Sequence, residues 1–278
     1  ALRRAGYHTA LIGKWHVSYI KGSRPLDRGF ERFFGFLGGE HDYFEPNIGQ
    51  PFHGISYSRD AHVYDQDKPL ERMDYLTDEL TTRSLEFMDA ARKSNRPFFL
   101  YLSHHAPHTP LQARWEDLEP FATARDEPAT SRDIVRAMIV RLDHNVARLV
   151  SHLRDRGWLD NTLIVFSSDN GASQPAYSGG LRGRKGYFYE GGIRVPLIVS
   201  WPARIAAGQV VDDPVITHDI FPTALAAAGI SKLPKGVEGL NWLPRLTGQT
   251  KMLPSRKLSW AHQNKHHSWA VRDGRWEL

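Results

Sequence analysis

Ser168-Asp169-Asn170-Gly171 places a carboxylate and an amide carbonyl at the end of an apolar stretch, Thr162-Leu-Ile-Val-Phe-Ser167. Hard oxygen donors of this kind suit Ca²⁺, and Mg²⁺ less well, whereas zinc usually takes His or Cys. A loop with three cations follows, Leu181-Arg182-Gly183-Arg184-Lys185-Gly186, then Glu190-Gly-Gly-Ile-Arg-Val-Pro196 and a second apolar stretch to Ser200. In open α/β sheets ligands bind at the carboxyl ends of strands. The spacing therefore delivers oxygen ligands for a cation, and cations for an anion, to one place. Asn-Gly is also a common turn former, so Asp169–Gly171 has a second reading as a turn. A polar Gly/Ser loop follows it rather than a pairing strand, which favours a site. Lys185 is followed by Gly, not Ser or Thr, so the loop is not a P-loop.

His104, His105 and His108 end a second apolar segment, Pro97-Phe-Phe-Leu-Tyr-Leu-Ser103. Their spacing matches neither a His-Glu-x-x-His helix nor a Cys/His finger, and Pro107 and Pro110 exclude a helix there. One histidine aimed at a substrate oxygen is expected, and at least one of the three should be an ordinary core or solvated residue. Lys14 and His16 end the first strand and, two apart, would share one face of it. Such a pair could lower a nucleophile's pKa or shuttle a proton. Glu40-His41-Asp42 has mixed ligand chemistry without an evident partner and reads as shaping a substrate loop. His262, His266 and His267 read as surface residues.

The elements that must position these groups alternate between strand and helix. Tyr7–Trp15 reads as a strand, and residues 17–75 as irregular, aromatic and rich in Gly and Pro. A helix capped by Thr77 should run to Lys93, burying Leu80, Ser84, Phe87, Met88 and Ala91. A second should span Ser131 to Arg156 with an apolar stripe through Ile134, Val135, Met138, Ile139 and Leu142, stopped by Gly157. A short helix covers Ile220 to Ala228. Lys257–His262 and Ser268–Arg272 read as antiparallel strands. The pattern predicts an α/β fold with a mostly parallel, helix-flanked central sheet. The expected division is a catalytic domain over 1–250 and the start of a small antiparallel subdomain over 251–278.

With 278 residues, 41% hydrophobic and 24% charged, the chain has a globular composition and a net charge of +5. No long Lys/Arg run supports a nucleic-acid partner, and no run of 18 apolar residues suggests a membrane span. The mild positive charge suits an anionic substrate. There is no cysteine, hence no disulfide framework and no thiolate metal site. The opening Ala1-Leu-Arg-Arg-Ala-Gly6 reads as the last turn of a helix, and the chain stops within a hairpin near Asp273-Gly274. Both ends read as interior to a longer protein.

Taken in order, Gly6-Tyr-His-Thr-Ala-Leu-Ile-Gly-Lys-Trp-His16, Pro107-His-Thr-Pro110, Ser168–Gly171, Gly183–Gly186 and Glu190–Pro196 resemble the type I sulfatases of the alkaline phosphatase superfamily. Asp219-Ile-Phe-Pro-Thr223 and Gly236-Val-Glu-Gly239 resemble later signature segments of that family. The resemblance implies an alkaline phosphatase-like fold and sulfate-ester hydrolysis with bound Ca²⁺. It implies that Asp169 and Asn170 are metal ligands, and that His108 and Lys185 bind sulfate and assist the leaving group. Lys14 would hydrogen-bond the nucleophile, and His16 would be the base that expels sulfate. It implies a sulfated small molecule or carbohydrate as substrate, and a periplasmic, secreted or lysosomal setting. The family nucleophile, a formylglycine made from Cys or Ser in Cys/Ser-x-Pro-x-Arg, has no counterpart; Ser23-Arg-Pro-Leu-Asp-Arg28 carries its Arg one place too late. Truncation is the expected reason, leaving this chain inactive by itself. The alternatives are a phosphate- or phosphonate-ester hydrolase on the same scaffold and a non-catalytic anion-binding relative.

Overall fold

The computed structural model describes residues 1–18, 20–48, 62–121, 129–262, 268–274 and 276–277. His266 and His267 lie outside them. The chain packs as two compact units, Ala1–Asp155 and Arg156–Leu278.

The first unit is built on a five-stranded sheet. Its strands are β1 (His8–Lys14), β2 (Arg32–Phe36), the two-residue β3 (Tyr64–Asp65) and β4 (Lys68–Pro69), and β5 (Phe98–Ser103), in the order β4-β3-β2-β1-β5. β1 runs parallel to both β2 and β5, with Gly13 in register with Gly35 on one side and Ser103 on the other. β3 and β4 add antiparallel edges. β2 lies inside the stretch read as irregular. Its Phe33, Phe34 and Phe36 are almost wholly buried, and that apolar burial outweighs the Gly-rich setting; each such ring contributes on the order of 2 kcal/mol. β5 is only half buried, with Tyr101 50% exposed; among the described residues it is an edge strand of the sheet.

Helix α1 (Leu76–Lys93) buries the five residues expected of it. Thr77 lies inside the helix, and Tyr75 is the cap, without a side-chain cap bond. After a short α2 (Trp115–Leu118), α3 (Ser131–Asp155) packs on α1, buries Val135, Ala137, Met138, Asn145 and Leu153, and leaves Ile139 in solvent. Asn145 donates to Asp78 Oδ1 at 2.7 Å and Arg141 Nε to Asp117 Oδ2 at 2.6 Å, tying α3 to α1 and α2. Among the described residues, no helix is long and apolar enough to cross a membrane.

In the second unit, β6 (Ile164–Ser167) leads through a long loop to α4 (Glu190–Ile193) and β7 (Leu197–Ser200), which pairs antiparallel with β6. Leu197 is 37% and Ile198 62% exposed; successive residues face opposite sides of a strand, so this end of the apolar stretch is open on both faces of the two-stranded ribbon among the described residues. Next come α5 (Ile220–Ala227) and α6 (Leu243–Leu246), then an antiparallel sheet of β8 (Lys257–His262), β9 (Ser268–Asp273) and β10 (Trp276–Glu277). The two later signature segments meet at Asp219, whose side chain is fully buried. Its carboxylate accepts N–H bonds from Ile216 at 2.9 Å and Leu240 at 2.8 Å, and both arms of the Arg256 guanidinium. Gly239 is fixed by space, since a Cβ there would lie 2.1 Å from the His218 carbonyl oxygen.

Burial alone would raise the Asp219 pKa; the hydrogen bonds from Arg256, Ile216 and Leu240, with the Arg256 charge, outweigh it and hold the carboxyl below its usual range. A depressed folded pKa contributes stability above the unfolded value, about 3.9, and that contribution is lost as pH falls through the folded one. Asp219→Asn should therefore destabilise the chain by about 3 kcal/mol or more at pH 7, because it leaves the Arg256 charge without its counter-ion. It should also flatten the decline in urea midpoint below pH 4. Equal midpoints for the two proteins at pH 7 would refute this account of the signature segments.

Candidate active site

Two clusters of functional side chains form, one in each unit. In the first, the carboxyl ends of β1, β2 and β5 lie side by side. Gly13 has φ +116°, and a Cβ on it would fall 1.9 Å from the Ser103 carbonyl oxygen, so no other residue fits between β1 and β5. The ladder continues past β1, with Trp15 N–H donating to the Phe36 carbonyl at 2.9 Å and His16 N–H to the Leu37 carbonyl at 3.1 Å. His16 nevertheless has φ +48°, a left-handed conformation that few non-glycine residues adopt. The strand alternation expected to place Lys14 and His16 on one face therefore ends at Lys14. The His16 ring lies against Gly39; a Cβ there would be 2.8 Å from its Nε2.

The three histidines after β5 separate by role. His105 is buried, stacked on Tyr43 at 4.9 Å and edge-on to Phe36 at 5.1 Å, and its Nε2 accepts the His41 N–H at 3.3 Å. Burial, and then the neighbouring His108, Lys14 and His41, push its pKa far down. It is the core histidine of the three. The His104 ring nitrogens are buried without a hydrogen-bond partner among the described residues, and burial lowers its pKa to about 4. His108 is partly exposed and stacks on His105 at 5.2 Å. Fully buried Tyr43 donates its hydroxyl to the His108 carbonyl at 2.9 Å. The partner missing for Glu40 in the sequence is Thr109, whose hydroxyl donates to Glu40 Oε2 at 3.1 Å. Lys14, His16 and His108 are thus gathered at one end of one sheet, two of them on loops held by Gly39 and Tyr43.

In the second unit, Asp169 and Asn170 follow β6, with Asp169 exposed. Lys185 N–H donates to the Ala172 carbonyl at 2.9 Å, and Gly171 N–H to the Gly192 carbonyl at 2.9 Å. The Asp-Asn-Gly turn and the Lys loop are therefore tied to each other and to α4. A Cβ on Gly171 would fall 2.0 Å from the Gly191 carbonyl oxygen, and one on Gly192 would fall 1.9 Å from that of Tyr187. Beside Lys185, Arg182 lies over the Tyr189 ring at 3.9 Å and Arg184 near Tyr187 at 5.9 Å. Tyr177, Ser178, Arg184 and Tyr187 line an open groove of about 360 Å³. Sequence reasoning missed these tyrosines, whose only signal was their spacing around the arginines.

The oxygen chemistry of Asp169 and Asn170 fits a hard cation, but two side chains fall short of the six to eight oxygens Ca²⁺ takes. Among the described residues no three His, Asp or Glu side chains group to hold a metal ion.

Known proteins fit this geometry. The Sulfatase family model matches residues 1–230. Canine N-acetylgalactosamine-6-sulfatase is 31% identical over 89% of this chain and 48% of its own length; murine arylsulfatase J is 34% identical over 82% and 38%. The chain spans about half the length of the curated relatives it matches, among them the uncharacterized sulfatase YdeN of Escherichia coli at 28% identity. Solved structures agree. The Ps i-CgsB complex with k-i-k-neocarrahexaose superposes with a TM-score of 0.88 at 33% identity, covering 99% of this chain and 63% of that one. The phosphonate monoester hydrolase of Silicibacter pomeroyi shares the fold alone, with a TM-score of 0.58, 19% identity, and coverage of 100% and 70%. The ordered motifs, the parallel sheet with its functional loops at the carboxyl ends, and these likenesses together assign the chain to the sulfatase family.

Proposed function

We propose that this chain forms the anion-binding part of a sulfuric ester hydrolase acting on sulfated carbohydrate. The observation that carries the reading is the backbone bond from Lys185 to Ala172, which fastens the loop that bears Lys185 to the turn that bears Asp169 and Asn170. Lys185 binds a sulfate oxygen, and charge-assisted contacts of this kind strengthen as charge develops there. His108 gives a proton to the departing sugar oxygen. His16 takes the proton that releases sulfate at the end of the cycle, and Lys14 hydrogen-bonds the attacking group. A formylglycine, for which these 278 residues hold neither a Cys nor a Ser-x-Pro-x-Arg precursor, would supply that attacking oxygen. A Ca²⁺ on Asp169 and Asn170 would add positive charge at the sulfate.

Two features support a sugar. Relatives above 30% identity include an N-acetylgalactosamine-6-sulfatase and a protein solved with a neocarrahexaose. The groove beside Lys185 presents Tyr177, 78% exposed, and Tyr187, 50% exposed, flat faces of the kind that stack on apolar ring surfaces. A phosphate- or phosphonate-ester hydrolase is the competing reading, since one shares the fold.

Titration calorimetry with galactose 6-sulfate in Ca²⁺ buffer should give a Kd that Lys185→Ala weakens by tenfold or more, the effect of one charged hydrogen bond. Unchanged affinity would remove Lys185 from the anion site, and tighter binding of phenyl phosphonate than of phenyl sulfate would favour the competitor. Tyr187→Ala should weaken a sulfated galactan tetrasaccharide but leave the monosaccharide unaffected. The 278-residue chain should not turn over 4-nitrophenyl sulfate repeatedly; sustained release of nitrophenol would show that hydrolysis needs no formylglycine.

A further inference from the structure

We infer that Thr109 and Glu40 form a positioning relay that fixes His108 as the Nδ1–H tautomer, so that Nε2 is the ring nitrogen that meets the anion. Two oxygens face His108 Nδ1: the Thr109 carbonyl at 2.9 Å and the Thr109 hydroxyl at 3.3 Å. A carbonyl only accepts. A hydroxyl has one proton to give, and that of Thr109 goes to Glu40 Oε2 at 3.1 Å. Both oxygens therefore offer lone pairs to Nδ1, and the hydrogen must sit on the nitrogen. Tyr43 supports the arrangement by holding the His108 carbonyl at 2.9 Å, and His105 backs the ring at 5.2 Å.

The chemical consequence is specific. With Nδ1–H engaged, a neutral ring offers only a lone pair at Nε2, which repels a sulfate oxygen. His108 gives a second hydrogen bond, from Nε2, only as the imidazolium, and the Glu40 carboxylate favours that cation through the Thr109 hydroxyl. A histidine with the opposite tautomer could bind the anion while neutral but would have no further proton to give the leaving group. The relay selects a ring that both holds the anion and delivers a proton. The tautomer assignment stands on geometry alone; its use toward sulfate rests on the sulfate-binding reading above.

Ring ¹⁵N correlation spectra of the ligand-free chain test the relay without reference to hydrolysis, with His108→Gln to assign the signal. Above the titration range of the ring, His108 should show a protonated Nδ1 and an unprotonated Nε2. Glu40→Ala, which frees the Thr109 hydroxyl proton to face Nδ1, should shift the population toward Nε2–H; Thr109→Val, which keeps the carbonyl acceptor, should shift it less, and Thr109→Ser, which keeps the hydroxyl, should hold Nδ1–H. Glu40→Gln should move the His108 titration midpoint downward. Galactose 6-sulfate affinity should fall about two- to tenfold in Thr109→Val, the effect of one neutral hydrogen bond. An Nε2–H tautomer in the unmodified chain overturns the inference, as does a Glu40→Ala spectrum like that of the parent. A confirmed tautomer with no sulfate binding by any variant would instead count against the functional reading and leave the relay in place.

Discussion

Everything at the active end of the first unit depends on how closely the backbones of β1, β2 and β5 approach one another at their carboxyl ends. A Cβ on Gly13 would meet the Ser103 carbonyl at 1.9 Å, and one on Gly35 would meet the Gly13 carbonyl at 2.0 Å. These are contacts between main chains, and main chain cannot swing aside as the end of a flexible side chain can. The approach fixes where Lys14, Leu37 and His104 leave the sheet. The pairing with β2 runs on through Trp15 and His16, and His16, with φ +48°, ends the alternation there. Backbone strain at a non-glycine residue persists only where surrounding contacts over-determine it. Here they are the ladder bond to Leu37 and the wall formed by Gly39.

The second unit solves the same problem with a different trio. Gly171 could have been the glycine of a simple Asn-Gly turn, where the residue supplies a positive φ. Its φ lies outside that region, and its reason is space, since the Gly191 carbonyl occupies the position its Cβ would take. Gly191 and Gly192 in turn let α4 press onto the Arg182–Tyr187 loop, whose carbonyls stand within 3 Å of their would-be Cβ atoms. An oxygen-donor turn and a cationic loop separated in sequence are thereby fastened to one short helix. Segments held to each other by backbone bonds lose less conformational freedom on binding a ligand, which lowers the entropy cost of binding.

The elements with a strong period were legible: α1, α3, β1 and the C-terminal hairpin follow apolar spacing and turn chemistry. β2 was not, because its Phe33-Phe34-Gly35-Phe36 run carries a glycine that reads as loop punctuation and is required for contact with Gly13. The antiparallel pairing of β6 with β7 was illegible because the intervening loop gives no hairpin signal. At the site, residue types were readable and their roles were not. Three histidines within five positions look alike in a sequence; burial against Tyr43 and Phe36 makes one a core residue, while a loop beside Thr109 makes another a donor. Glu40 had no visible partner because its partner is 69 residues away.

Charge completes the account of why so many histidines gather at this sheet end. A cluster with Lys14, His41, His105 and His108 all protonated would repel itself. Burial keeps His105 neutral, and Lys14 and its neighbours lower its pKa further; His104 is held neutral by burial alone. The two rings act as polarisable, apolar-facing walls instead of charges. That leaves the partly exposed His108 as the ring backed by Thr109 and Glu40. The charges that remain at this end of the sheet are therefore few and in defined places.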